Sequence, residues 1–411
     1  AGQISDSGSA SGSVLDDTAE KRFVPPNAVT TPTSSGNEDA AYSSSIIWTD
    51  QDGTDVVLSC TAGCASWITF TDGGASVSTA TLAGTPLDAH VGANSVTIQG
   101  VSGGETVQAS YTITITNVND EPTLSADTTT PTFTEDGSNV VLYDNAAVAD
   151  SESQSADTWL AITITITNVV DTTEYLVIDG SDCDITATAT CVDNTLTNSG
   201  AAVVTLAGTT ATVVWTADAA SIDNTEMQTL IDAIAYKNTD QSPTTGSTRV
   251  ITITTLQDEG GTANSGDDSV TVSIASTVTV ASAADLPTSA AATVANAEDT
   301  TKTYAAGNFA FTDVDGDSIA RIQITTLEST GDLECNDANG GDAGWVDCVA
   351  DWYVDAGTDI RLDPADDSVA DVTFSFKVHD GTAYSAAAYV LTTTHSAVND
   401  APTSAAATVA N

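Results

Sequence analysis

Apolar and polar residues alternate with a period of two along most of the chain. "YTITITNVNDEPT" (111–123) shows the pattern cleanly: Ile and Thr take turns, then an acidic stretch with a Pro follows. Successive side chains on a strand point to opposite faces, so this alternation predicts a half-buried strand, and the Pro stiffens the exit from it. "YVLTTTHSAVNDAPT" (389–403) repeats the design, and "VTVASAADLPT" (278–288) is a weaker copy. The same period predicts strands at "DVVLSC", "SVTIQGV", "LAITITITNV", "TATVVWTA", "RVITITTL", "DSVTVSIA" and "VTFSFKVHD". One segment breaks it. "SIDNTEMQTLIDAIAYKN" (221–238) spaces Ile222, Met227, Leu230, Ile231 and Ile234 as on a helix, with Ser221 or Asp223 as the cap.

The three closing strands mark ends near 120, 284 and 400, which divides the chain into units at 27–120, 121–284 and 285–400. Many short alternating strands with Gly/Asp turns predict an all-β chain of tandem β-sandwiches in a rod, with one short helix in the second unit. Residues 1–26, rich in Ser, Gly and Asp, read as a flexible leader or arm. The phrase "PTSAAATVAN" stands at 287–296 and again at 402–411. Residues 401–411 therefore read as the first strand of a following repeat, or as a donor strand that pairs with a neighbouring molecule. Trp48 and Trp67 are expected between the two sheets of the first unit.

Charge narrows the partners. With 8 Lys+Arg against 57 Asp+Glu the net charge is −49. Nucleic acid requires cationic side chains to displace counterions, so it is excluded as a partner. An anionic membrane surface would repel the chain, and no apolar run reaches the roughly 18 residues needed for membrane insertion in this segment. Divalent cations would relieve the self-repulsion. The six cysteines form three close pairs, Cys60/Cys64, Cys183/Cys191 and Cys335/Cys348. One pair in each third of the chain, without nearby His, predicts local disulfides and an exported, extracellular or cell-surface protein rather than zinc sites. The opening "AGQ" agrees with a secreted chain after removal of its signal, and equally with a cloned fragment.

The remaining candidate chemistry is carboxylate. In the first unit Glu38 and Asp39 precede a strand, and Asp50, Asp52 and Asp55 follow it. The third unit repeats this with Glu298 and Asp299, then Asp313, Asp315 and Asp317. The linkers add Asn119, Asp120 and Glu121, then Asn399 and Asp400. In the second unit Glu135, Asp136, Asp150 and Glu152 match less well. Calcium takes six to eight oxygens, and a sandwich end that gathers an acidic pair, a DxD turn and the preceding linker would supply them. The competing reading is hairpin punctuation, since Asp-Gly turns are common without any ion.

"NEDAAYSSSIIWTDQDGTD" (37–55), "ASWITF" (65–70), "LAGTP" (82–86) and "DAHVGANSVTIQ" (88–99) resemble the dystroglycan-type cadherin-like domain of bacterial surface proteins. "NAEDTTKTYAAGNFAFTDVDGDSIARIQIT" (296–325) and "VHDGTAYSAAAYVLTTT" (378–394) are similar to the cadherin-like repeats of very large bacterial and archaeal adhesins. "ITNVVDTTEYLVIDG" (166–180) and "IDAIAYKNTDQSPTTGSTRVITITTLQDEGG" (231–261) resemble another repeat type of the same proteins. The resemblance implies Ig-like/cadherin-like sandwiches, calcium at the domain junctions, and a structural or adhesive surface role with self-association into a polymer. A ligand- or glycan-binding adhesin is the runner-up, with specificity in the loop 331–352 that carries Trp345 and Trp352, and an S-layer subunit is the third reading. Three scattered histidines (90, 379, 395) and the absence of HExxH, GxSxG, P-loop and dinucleotide patterns argue against an enzyme.

Overall fold

A computed structural model of the chain describes residues 24–64, 66–74, 78–151, 158–192, 200–218, 222–336, 344–357 and 359–401. The leader (1–23 of it), Glu152 and the repeated phrase 402–411 lie outside the described residues. Within them the protein is all-β, with tandem sandwiches and one α-helix. Three separate hydrophobic cores form, around Trp48, around Trp159 and Trp215, and around Phe374 and Phe376.

The first core lies between two four-stranded sheets. One runs in the order Asn27–Ala28, Tyr42–Thr49, Thr79–Gly84, Thr69–Asp72, and the other Ser35–Asn37, Glu105–Thr116, Gly92–Ser102, Val57–Ala62. The strand Tyr42–Thr49 shows why the alternation folds this way. Tyr42, Ser44, Ile46 and Trp48 face inward and are buried, while every second residue is exposed. Trp48 and Trp67 pack in this core, as expected.

The second core is larger. An extended sheet runs Thr132–Thr134, Ser269–Ala281, Arg249–Asp258, Thr158–Thr167, Thr210–Ala217, Gly200–Ala207, Ala189–Val192. Opposite it stand Val140–Val141, Ala235–Asn238, Glu174–Ile178 and Ser181–Asp184. The helix occupies Asn224–Asp232. Asp223 accepts the Glu226 N–H and the Glu226 side chain accepts the Asp223 N–H, a reciprocal cap. Met227, Leu230 and Ile231 are buried, and Asp232 accepts the Ala146 N–H at 2.9 Å, which ties the helix to Tyr143–Ala149.

The third core lies between the sheet Ala292–Ala297, Tyr389–Ser396, Val372–His379, Arg321–Thr326, Tyr353–Asp355 and the sheet Lys302–Tyr304, Ile360–Asp363, Asp332–Cys335, Val346–Asp347.

Two of the expected disulfides are present, Cys60–Cys64 and Cys335–Cys348. The expectation for Cys183 and Cys191 is corrected, because these two are not bridged. Cys183 sits buried on Ser181–Asp184 and Cys191 on Ala189–Val192, strands that belong to different sheets.

Candidate cation sites at the unit junctions

In each unit an early strand runs parallel to the end of the last strand. Ser35–Asn37 pairs with Thr114–Thr116, Thr132–Thr134 with Thr279–Ala281, and Ala292–Ala297 with Leu391–Ser396. A Glu follows the early strand or lies just past it, and it is clamped to the last strand in the same way three times. The backbone N–H of Glu38, Glu135 and Glu298 donates to the carbonyl of Thr116, Ala281 and Ser396. Two residues further along, the N–H of Val118, Ala283 and Val398 donates back to the Glu carboxylate. The residue after each Glu is Asp in the left-handed region, at φ 52° for Asp39, 56° for Asp136 and 56° for Asp299. Asp tolerates this conformation better than most residues, which accounts for the Glu-Asp pair as a unit.

The clamp buries the glutamates. Glu38, Glu135 and Glu298 are 2%, 4% and 5% exposed. One carboxylate oxygen of Glu38 (Oε2) and one of Glu135 (Oε1) are buried with no hydrogen-bond donor. Burial pushes the Glu38 carboxyl up to about 7, helped by the negative charges of Asp88 and Asp120 and opposed by the Val118 N–H. Burial likewise raises Glu135, with Asp285, Asp315 and Asp136 adding to the shift against the pull of the Ala283 N–H.

The second junction gathers the most carboxylate. Asp313, Asp315 and Asp317 bring ligand oxygens within 4.8 Å of one another. The Asp285 N–H donates to Asp315 Oδ2 at 2.7 Å, so the linker is joined to this turn. Asp285 Oδ2 and Asp313 Oδ2 are buried without a donor. Burial raises the Asp285 carboxyl, and Asp315, Asp136 and Asp313 raise it further. Among the described residues no Lys or Arg forms an ion pair with this group. At the end of the third unit Asp299, Asp367 and Asp400 form a further cluster within 4.8 Å, fully on the surface. Desolvation and the charges of Asp367, Asp299 and Glu298 raise Asp400.

The structure redistributes the residues that the sequence singled out. Within one unit the acidic pair and the DxD turn do not converge. Between Asp39 and Asp50 runs the eight-residue strand Tyr42–Thr49, roughly 26 Å at ~3.3 Å per residue. The pair therefore faces the following unit and the DxD turn faces what precedes. Asp50 accepts Asp52 N–H at 2.8 Å and Thr54 at 3.0 Å, and Asp52 accepts Val24 N–H at 3.1 Å. The hydroxyl of Ser102, then the Asp52 N–H, lowers the Asp50 carboxyl. Asn119 turns into the second unit, where its amide donates to Asp258 Oδ1 at 3.0 Å and to the Asp267 carbonyl at 2.8 Å. Asn399 donates to the Asp400 carbonyl at 3.4 Å. Glu135 and Asp136, read as a poorer match, have the same clamp as the other two pairs. Asp285 was missed. The signal for it was available, since Asp120, Asp285 and Asp400 each stand two residues before a Pro.

The loop 331–352 carries Trp345 and Trp352. Trp345 lies under the Arg361 guanidinium at 4.3 Å, and Arg361 is paired with Glu334 at 2.5 Å.

No protein-family profile matches the chain, and no curated protein matches it. Among solved structures it is similar to the extracellular cadherin domains 1–5 of protocadherin gamma B2, at 12% identity and a TM-score of 0.40, over 92% of this chain and 61% of that one. It is also similar to the titin I-band fragment I67–I69, at 8% identity and a TM-score of 0.26, over 92% and 100%. A third is human protocadherin-24 domains 1–2, at 12% identity and a TM-score of 0.34, over 63% and 100%. The chain thus spans about three fifths of the protocadherin gamma B2 fragment. Among the described residues no helix is long and apolar enough to cross a membrane.

Proposed function

We propose that the chain is an extracellular structural protein of a cell surface, a string of β-sandwich units in which the carboxylate-rich second junction takes up a divalent cation, calcium first, and is stiffened by it. The observation that carries this reading is the second junction. Glu135, Asp285 and Asp313 each aim a buried, donorless oxygen into a group of like charges. A buried acceptor without a donor costs roughly 1–3 kcal/mol, and like charges add to that. A divalent cation removes both penalties. Oxygen-only ligands on turns suit calcium, which accepts irregular geometry, better than magnesium, which requires a near-ideal octahedron.

The role is mechanical rather than enzymatic. Stiff junctions keep a thin string extended from the surface, where it adheres or self-associates. In the polymer form of this reading, the leader (1–26) or residues 401–411 would add to a neighbour's sheet. Fibres with a regular axial repeat in negative-stain micrographs are the expected result for that form. For the cation reading, the melting temperature at low ionic strength should fall on chelation and return with calcium, but not with sodium of equal ionic strength. An unchanged melting temperature overturns it.

A further inference from the structure

We propose that the two internal junctions are built on different principles. The first is locked by Asn119 seated in the second unit. The second is held only while a divalent cation bridges its carboxylates, so that chelation frees the third unit and leaves the first two joined. The second half rests on the cation reading above.

The first linker reaches the second unit through three hydrogen bonds made by one residue. The Asn119 side-chain amide donates to Asp258 and to the Asp267 carbonyl, and the Asn119 carbonyl accepts the Asp267 N–H at 2.9 Å. The contact is dry: Asn119 is 8% exposed and Asp258 2%. It is also close-fitting. A Cβ on Gly260 would lie 1.3 Å from Asn119 Oδ1, so the seat exists only because residue 260 has no side chain. Asp258 is itself held, accepting the Gly260 N–H at 2.6 Å. None of these contacts involves a repelling pair of charges.

The second linker has no such residue. Where the first linker reads Asn119-Asp120, the second reads Ala284-Asp285. Its bond to the third unit among the described residues is Asp285 N–H to Asp315. Around that bond stand Glu135, Asp136 and Asp313, all carboxylates. An open groove of about 390 Å³ lies here, lined by Ser242, Pro243, Thr245, Ala284, Asp315 and Asp317. Space, like charge and a single tether together make this junction open when the charge is not neutralised.

Hydrogen exchange by mass spectrometry on the full chain, in calcium and in chelator, tests this. Chelation should speed exchange of peptides covering Ala283 and Asp285 by roughly tenfold or more, and leave the Asp267 amide, which the Asn119 carbonyl accepts, unchanged. Asn119→Ala and Gly260→Ala should each speed exchange at Asp267 by a similar factor in calcium and in chelator alike, without altering the second linker. An equal response of both linkers to chelation overturns the proposal. So does an Asp267 amide that stays fully protected in Gly260→Ala. Titration calorimetry separates the two readings: no heat of calcium binding overturns the cation reading and the second half of this one, whereas calcium binding with equal linker responses overturns this one alone.

Discussion

The second unit holds two buried groups of carboxylates that differ in one respect. In its interior, Asp171 and Glu174 surround Arg249. The guanidinium donates to Glu174 at 3.0 Å through both Nε and Nη2, to Asp171 at 2.6 Å, and to the carbonyls of Thr244 and Ser247. Tyr236 donates to Glu174 at 2.8 Å and Asn238 to Asp171 at 2.8 Å. Arg249, Glu174 and Tyr236 are fully buried. Burial pushes the Tyr236 hydroxyl well above its ordinary pKa, and the Glu174 charge adds to this. At the junction around Glu135, the same kind of oxygen has no cationic side chain and too few donors. A group completed by the protein's own residues needs no ligand. A group left incomplete points to one.

The largest test of this contrast is Arg249→Met. It strands two carboxylates in the core, and loss of one partner from a buried ion group costs about 3–5 kcal/mol. Urea unfolding followed by Trp159 and Trp215 fluorescence should show the second unit losing that much, with or without calcium. A loss under about 1 kcal/mol would mean that the node is not the closed ionic group its hydrogen bonds describe.

The next test reverses sign between the two groups. Asp171→Asn should destabilise, since it weakens a charge-assisted bond to Arg249. Asp315→Asn at the junction removes one of several like charges. In chelator it should stabilise the protein by about 0.5–1 kcal/mol, and it should weaken calcium binding by roughly tenfold. If both substitutions destabilise the chelated protein equally, the distinction between complete and incomplete groups fails.

Much of this was legible in the sequence, for definite reasons. Strands such as Tyr42–Thr49 announce themselves because burial follows the period of two residue by residue. The helix was legible from Asp223 and Glu226 as a reciprocal cap before Met227, Leu230 and Ile231. The acidic pairs were legible as a repeated phrase. Their partners were not, because the DxD turn that completes a junction belongs to the following unit, and the sequence lists it beside the wrong pair. The Arg249 node was also hidden. Its members at 171, 174, 236, 238 and 249 come from one loop and three strands far apart in sequence, and only the scarcity of basic residues, 8 in the chain, marked Arg249 as unusual.

Titration sharpens the comparison at the first junction. Glu38 has a folded pKa of about 7 against an ordinary 4.5. A carboxyl raised in this way stabilises the fold while protonated. In chelator, the stability of the first unit should therefore be highest below about pH 4.5 as far as this group is concerned, and fall as pH rises through about 7. Glu38→Gln should flatten that slope. Denaturation midpoints across this range check it, and a slope unchanged in Glu38→Gln assigns the titration elsewhere.

The smallest expected effect comes from the same strand that supplies Tyr236 to the closed node. Ala235–Asn238 turns Tyr236 inward and Lys237 outward. Lys237 pairs with Asp182 across the sheet and lies 5.8 Å from the Tyr175 ring centre, but the two charged side chains are 34% and 44% exposed. Water screens such a pair, and holding two long side chains in place opposes its attraction. Lys237→Ala should cost no more than about 0.5 kcal/mol, a loss that shrinks in high salt. A loss near that of Arg249→Met would show that cationic charge stabilises this acidic protein wherever it sits, through its net field. A loss of a few tenths would show that position decides, and that a cation matters only where oxygens are buried around it.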